Sequence, residues 1–208
     1  MDMPHRTTVD FVGARSIEAK TSGNEKKRFT VCLTIAANGR LLPAYVLFQK
    51  LKKVPKVTLP SNVLINVNES GTMIESLVCD YFNKVFGQDA AHNKQIIFMN
   101  EFKSHFTQPV IETLQRMQVN AHKIPGGYTS SLQPLDVSIN KPFNQLYRDE
   151  WEAWLDGPDP IYTKKGNRQK PSYQCIVDMI SRCLIKMESQ IEMIKNSFVL
   201  LISTCAYK

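Results

Sequence analysis

The segment from Lys27 to Gln49, KRFTVCLTIAANGRLLPAYVLFQ, limits what this chain can fold into more than any other part of it. Two runs of β-branched and aliphatic residues flank Ala37-Asn38-Gly39-Arg40. Asn-Gly at the centre of such a link is a hairpin signal, because both positions tolerate a positive φ. Lys27–Ala36 and Leu41–Gln49 are therefore expected as an antiparallel pair. Pro43 carries no N–H, so it is expected at an edge, at a strand start, or where the ladder is open.

The rest of the chain alternates two periodicities. Val63–Val67, Gln95–Met99 and Val119–Ile124 are short apolar runs with strand character. Thr72–Val85 places Met73, Leu77, Val78 and Phe82 on one helical face. A second helix is expected from Pro109 to about Met117, with Thr107 as its cap. Pro134–Trp154 reads as a longer helix with an interruption at Pro142, and Tyr173–Leu201 as one final helix. Strands followed by strand–helix–strand units give an α/β layout with an antiparallel start and later crossovers. The expected division is a domain over residues 1–155, a basic linker over 156–172 and a C-terminal helical segment over 173–208.

Charge and cysteine content bound the function. The net charge is +7 over 208 residues. Ten Lys and Arg lie between Arg15 and Lys56 against Glu18 and Glu25, and Lys164, Lys165, Arg168 and Lys170 form a second basic cluster. Such patches favour a polyanionic partner, because neutralised phosphates release counterions. The alternative is a solvated basic surface. The five cysteines are scattered without a C-x-x-C pair, so neither a disulfide framework nor a zinc site is supported, and a reducing compartment is expected. No apolar run approaches the roughly 20 residues of a membrane span. Trp151 and Trp154 fit helix packing better than base stacking, and no spacing supports Cys175 as a nucleophile paired with histidine.

The stretch IIFMNEFKSHFT (96–107) raises a specific question. A strand ends at Asn100, and a polar loop bearing His105 follows. A strand end beside such a loop suits a catalytic carboxylate, yet the residue is an amide.

Four stretches answer it together: SGNEKKRFTVCLTIAANGRLLPAYVLF (22–48), IIFMNEFKSHFT, IPGGYTSSLQPLDVSINKPF (124–143) and TKKGNRQKPS (163–172). They resemble the DDE superfamily endonuclease domain of pogo/Tigger-type transposases and their domesticated relatives, over roughly residues 3–198. The resemblance implies a ribonuclease-H-like mixed sheet flanked by helices. It also implies cleavage and strand transfer of DNA phosphodiesters with two divalent metals held by three acids. Two metals clamp the attacking and leaving oxygens, and hard cations want anionic oxygen ligands.

On that pattern Asn100 stands at the second acid, His105 is its loop neighbour, and Asp136, separated from Asn100 by 35 residues, matches the third acid. Asp136 also reads simply as an acid at a helix N-terminus. The strand bearing the first acid, central in such a sheet and adjacent to Gln95–Met99, would lie upstream of Asp2-Met3-Pro4. Asp2 and Asp10 are weak substitutes in loop-like sequence. After Phe198 the family's Cys-Gly-Ile pattern is replaced by Val199-Leu200-Leu201-Ile202, and the family's helix-turn-helix modules are not present in the sequence.

The expectation is thus a catalytically inactive DDE domain, its central strand missing and extra C-terminal helices present, that binds DNA with little sequence preference in the nucleus. Phosphate contacts are expected from Lys26, Lys27, Arg28, Lys52, Lys53, Lys56 and Lys141. No cofactor is expected, with Mg²⁺ or Mn²⁺ bound only if activity survives. The alternatives are an inert scaffold that docks or self-associates through its C-terminal helix, and a non-functional fragment of a mobile element.

Overall fold

The computed structural model describes residues 28–86, 95–127, 132–158, 162–164 and 169–206. The expected hairpin forms: β1 (Phe29–Cys32) runs antiparallel to β2 (Ala44–Gln49), with Phe29 opposite Phe48 and Cys32 opposite Tyr45. The ladder is shorter than its apolar runs. Beyond Cys32 it loosens, and pairing resumes only at Ile35–Leu41, offset by one residue. Pro43 sits in that offset and β2 begins immediately after it, which is where a residue lacking an N–H belongs. Gly39 takes the turn at φ +91°.

β3 (Val63–Asn68) pairs parallel with β2, giving a three-stranded sheet ordered β1-β2-β3. β2 is its centre, and Ala44 to Phe48 are buried on both faces, so the strand reads as a continuous apolar run. α1 (Glu75–Phe86) follows, then β4 (Gln95–Asn100), α2 (Gln108–Arg116) and β5 (Val119–Ile124). β4 and β5 pair parallel in a sheet of their own, joined by α2 as a crossover. The single mixed sheet expected from the resemblance is therefore replaced by two small sheets. The physical reason is local: among the described residues, no strand pairs with the outer edge of β1 or of β4.

Thr107 occupies the position ahead of α2 in extended conformation, but its side chain makes no capping bond, and its Oγ1 is buried without a partner among the described residues. The expected cap is thus positional only. Leu135–Ile139 forms a wide π-type turn ahead of α3 (Asn140–Leu155), and Pro142 lies in the first turn of α3, where its missing N–H is tolerated. The interruption falls before the proline rather than at it.

The expected final helix is two helices, α4 (Tyr173–Glu188) and α5 (Ile191–Ala206). Ser189 breaks the ladder: its Oγ donates to the Lys186 carbonyl at 2.7 Å, and Gln190 N–H bonds to Met187 O three residues back. Ser172 caps α4 by accepting from Cys175 N–H at 3.1 Å.

Two cores result. On one face of β2, Ala44, Val46 and Phe48 pack with α3, α4 and α5, with Trp151 and Met179 fully enclosed. Trp151 accordingly packs helices, as its spacing suggests. On the other face, Tyr45 packs with α1, α2, β4 and β5. No described helix is long and apolar enough to cross a membrane.

Candidate functional site

Asn100 is the last residue of β4, opposite Ile124 at the end of β5. The chain then turns through Lys103–His105, pinned to the segment ahead of α1 by Ser104 Oγ donating to Met73 O at 2.6 Å. His105 Nδ1 lies 3.3 Å from the backbone oxygen of Asn100. A carbonyl can only accept, so Nδ1 carries the proton and Nε2 is left as the free lone pair. Burial pushes the His105 pKa down, and the bond to Asn100 only partly opposes this, so the ring is neutral near pH 7.

Asp136 lies in the π-type turn, exposed, with its Oδ1 accepting from Asn140 Nδ2 at 2.7 Å. Asn100, His105, Gln133 and Asn140 all line one cleft of about 810 Å³. The structure thus brings Asn100 and His105 together and sets Asn140, the partner of Asp136, on the same cleft. Asp136 itself is not among the lining residues. Gln133 Oε1 is buried there without a hydrogen-bond partner among the described residues.

This donor set does not suit a pair of hard divalent cations. Among the described residues, no three His, Cys, Asp or Glu side chains gather as a metal site. Asp136 offers one carboxylate already bonded to an amide, and Asn100 offers a neutral oxygen at most. Replacing a carboxylate by an amide removes about 4 kcal/mol per unit of cation charge at 4 Å and an effective dielectric near 20. Asp2 and Asp10 lie outside the described residues.

The basic residues sort differently. Lys26, Lys27, Lys165 and Arg168 lie outside the described residues. Arg28, Lys52, Lys53, Lys56 and Lys141 are exposed, the middle three in the β2–β3 loop and Lys141 in the first turn of α3. The ladder sets Phe29 opposite Phe48, so Arg28 and the loop following Gln49 leave the sheet at the same end. The Tyr173 ring packs 4.9 Å from Phe48, and Lys170 Nζ stands 5.6 Å over that ring. Thr58 N–H further ties the loop to Gln174 at 2.7 Å. Three basic stretches that are far apart in sequence therefore meet at one end of the first sheet, and the sequence gives no local sign of it.

The sequence reading also missed a polar network in the second core. Tyr45 OH donates to Asp80 Oδ2 at 2.6 Å, and Asn66 Nδ2 donates to both. Lys84 reaches the same carboxylate at 2.8 Å. Burial pushes the Asp80 carboxyl up, but the Lys84 and Tyr45 bonds outweigh it and hold it below the usual carboxylate range. The four residues come from β2, β3 and α1, so only Asp80–Lys84, one turn apart, was visible in sequence.

Comparison with known proteins places the chain. The family profile described as DDE superfamily endonuclease matches residues 26–183. The mouse protein "Pogo transposable element with KRAB domain" is 32% identical over 183 residues, covering 86% of this chain and 30% of its own length. Its human counterpart is 31% identical over 204 residues, covering 96% of this chain and 33% of its own length. The human "Pogo transposable element with ZNF domain" is 24% identical over 135 residues, or 64% of this chain and 10% of its own length. The chain thus spans about a third of the length of the first two relatives. No solved structure matches it. A profile covering most of the chain, together with these relatives, assigns it: this protein belongs to the DDE superfamily endonuclease family, and its relatives are pogo transposable element proteins.

Proposed function

We propose that the chain is a transposase-derived DDE domain of ribonuclease-H-like architecture that no longer cuts DNA but still binds it, acting in the nucleus. The observation that carries this reading is Asn100. The strand end that would present an acid to a metal presents an amide, and Asp136, at the family's third-acid position, is exposed and bonded to Asn140. DNA binding rests on the convergence of Arg28, the Lys50–Lys56 loop and Lys170 beside the first sheet.

Two assays test the reading. The purified chain is incubated with supercoiled plasmid and Mg²⁺ or Mn²⁺, and no nicking above background is expected; metal-dependent nicking abolished by Asp136→Ala overturns the inactive half. Duplex binding is measured by anisotropy across a salt series. Affinity should fall steeply with salt, and the triple replacement of Lys52, Lys53 and Lys56 by Glu should lower the log–log slope by roughly 0.9 for each phosphate that is no longer neutralised. Binding that ignores salt, or is unchanged in the triple variant, overturns the binding half.

A further inference from the structure

β2 and β3 are parallel, so the chain must cross back over the sheet between them, and such a crossover is usually a helix. Here residues 50–62 make the crossing with neither helix nor strand. They carry Lys52, Lys53 and Lys56, so the path of this segment decides where three charges stand.

That path is fixed at both ends and along its length. Lys50, at φ +60°, donates its N–H to Asn68 O at 3.0 Å, and Asn62 O accepts from Ala44 N–H at 2.9 Å. Leu51 and Val57 pack against the larger core. α4 supplies the remaining hold from one face, since positions 174, 178 and 181 follow i, i+4, i+7 spacing. The Gln174 amide meets the Thr58 backbone as a neighbouring strand would. Its Oε1 accepts from Thr58 N–H at 2.7 Å, and its Nε2 donates to Thr58 O at 3.0 Å. Nε2 also donates to Asp178 Oδ1 at 2.9 Å. A carboxylate only accepts, so Asp178 sets which end of the amide faces Thr58 N–H. Further along the same face, Asn62 Nδ2 donates to Ser181 O at 3.2 Å and Asn62 Oδ1 accepts from Ser181 Oγ at 2.8 Å.

Such a hold matters for a charged surface. Lysines on a mobile segment must be ordered on binding, and that cost is taken from affinity. A DNA duplex is stiff, with a persistence length of about 50 nm, and cannot remould itself around a mobile loop. A single strand can. Lys170 stands three residues ahead of Tyr173, the first residue of α4, so the helix that holds the crossover also continues from the neighbouring charge.

We propose that Gln174, oriented by Asp178, is a positioning residue for the basic surface: it holds the crossover against α4 so that Lys52, Lys53 and Lys56 meet duplex phosphates in a fixed arrangement with Lys170. This role, which rests on the DNA-binding reading above, makes the surface one for a duplex rather than for a single strand.

The test compares the wild-type 208-residue chain with Gln174→Ala on a short mixed-sequence duplex and on one of its strands, by anisotropy across a salt series. Gln145→Ala is the control: Gln145 Nε2 donates to Asp149 Oδ1 at 2.7 Å, so the change removes a Gln–Asp pair of the same spacing from α3 and leaves the Thr58 bonds in place. Gln174→Ala should bind the duplex about fivefold more weakly, because the docked form of the loop is less populated. Its log–log salt slope should match the wild type, because every phosphate-neutralising lysine is still present. Single-strand affinity should change less than about twofold, and Gln145→Ala should match the wild type throughout. Unchanged duplex affinity, a lowered slope, equal losses on duplex and single strand, or an equal loss in Gln145→Ala would overturn the proposal and leave the DNA-binding reading standing. Wild-type protein that shows no salt-dependent duplex binding would overturn that reading and the proposal with it. Hydrogen exchange of the wild type decides the matter even where Gln174→Ala does not fold. The Thr58 amide should exchange about tenfold or more slower than in an unfolded chain, and adding duplex should change this little. Exchange at the unfolded rate, or protection that arises only with DNA, would show that the duplex rather than Gln174 orders the loop, and would overturn the proposal.

Discussion

The His105 ring is held by the backbone of Asn100, not by its side chain: Nδ1 lies 3.3 Å from the Asn100 carbonyl oxygen. The bond therefore survives any replacement at position 100 that keeps the strand. Asn100→Asp should fold with a stability change of under about 1 kcal/mol, as expected for an isosteric change at a half-buried strand end. It should also raise the His105 pKa. Burial now pushes that pKa below its usual value of about 6.5, and a carboxylate nearby favours the imidazolium. An NMR titration of the His105 ring protons reads the shift. The same variant should remain unable to nick plasmid, because it restores one carboxylate and not a set of three. Metal-dependent nicking by Asn100→Asp would mean that the remaining ligands are already in place.

What could be read from the sequence was what local chemistry encodes. The Asn-Gly hairpin, the strand ending at Asn100 and a strand start or open ladder at Pro43 each depend on a few adjacent residues, and each is present, although β2 begins at Ala44 rather than Leu41. The division of the last helix was not legible. Ile191 and Ile194 continue the apolar spacing of Ile176 to Met187 across the break, and periodicity cannot register a Ser189 side chain competing for the Lys186 carbonyl. The basic end of the first sheet was legible as charge but not as a surface, because strand register and the packing of Tyr173 on Phe48 bring its parts together.

Trp151 anchors the larger core. It is 1% exposed, and its ring centroid lies 5.2 Å from that of Trp154. Trp151→Ala should cost about 3–5 kcal/mol, the range for emptying a large aromatic site. Urea denaturation followed by circular dichroism measures this, since the variant loses half of the tryptophan signal. A destabilisation under about 1 kcal/mol would mean that α3 and α4 are held by something other than this core.

Acid should weaken the fold through two carboxylates. Burial pushes the Glu150 carboxyl up, but bonds from Lys186 and Arg182, both at 2.6 Å, outweigh it, so like Asp80 it titrates below the usual range. A folded-state pKa below the unfolded value stabilises above the unfolded pKa, and that contribution disappears as pH falls through the folded one. With unfolded values of about 3.9 for Asp and 4.3 for Glu, the loss begins below about pH 5. Because the lysine and arginine partners are about half exposed, the two sites together should contribute on the order of 1–2 kcal/mol. The double variant Asp80→Asn/Glu150→Gln should be less stable at pH 7 and show a flatter decline between about pH 5 and 3. Urea midpoints across that range check it, and parallel declines for the two proteins would contradict the assignment.

Gly39 joins the hairpin to the last helix. Its φ of +91° disfavours any side chain, and a Cβ there would come within 2.5 Å of Ile191 Cγ2 and 3.2 Å of the Ile191 carbonyl oxygen. The turn thus packs directly on the first residue of α5. Gly39→Ala combines the left-handed penalty of about 1–2 kcal/mol with displacement of the Ile191 side chain. Ile191→Ala in the same background removes the closest atom and should recover part of the loss, leaving the backbone penalty. Thermal melts of the wild type, both single variants and the double variant give the coupling directly. A coupling near zero would show that the turn strains only its own backbone, whereas a favourable coupling of about 0.5 kcal/mol or more would establish that the hairpin tip and α5 are fitted to each other.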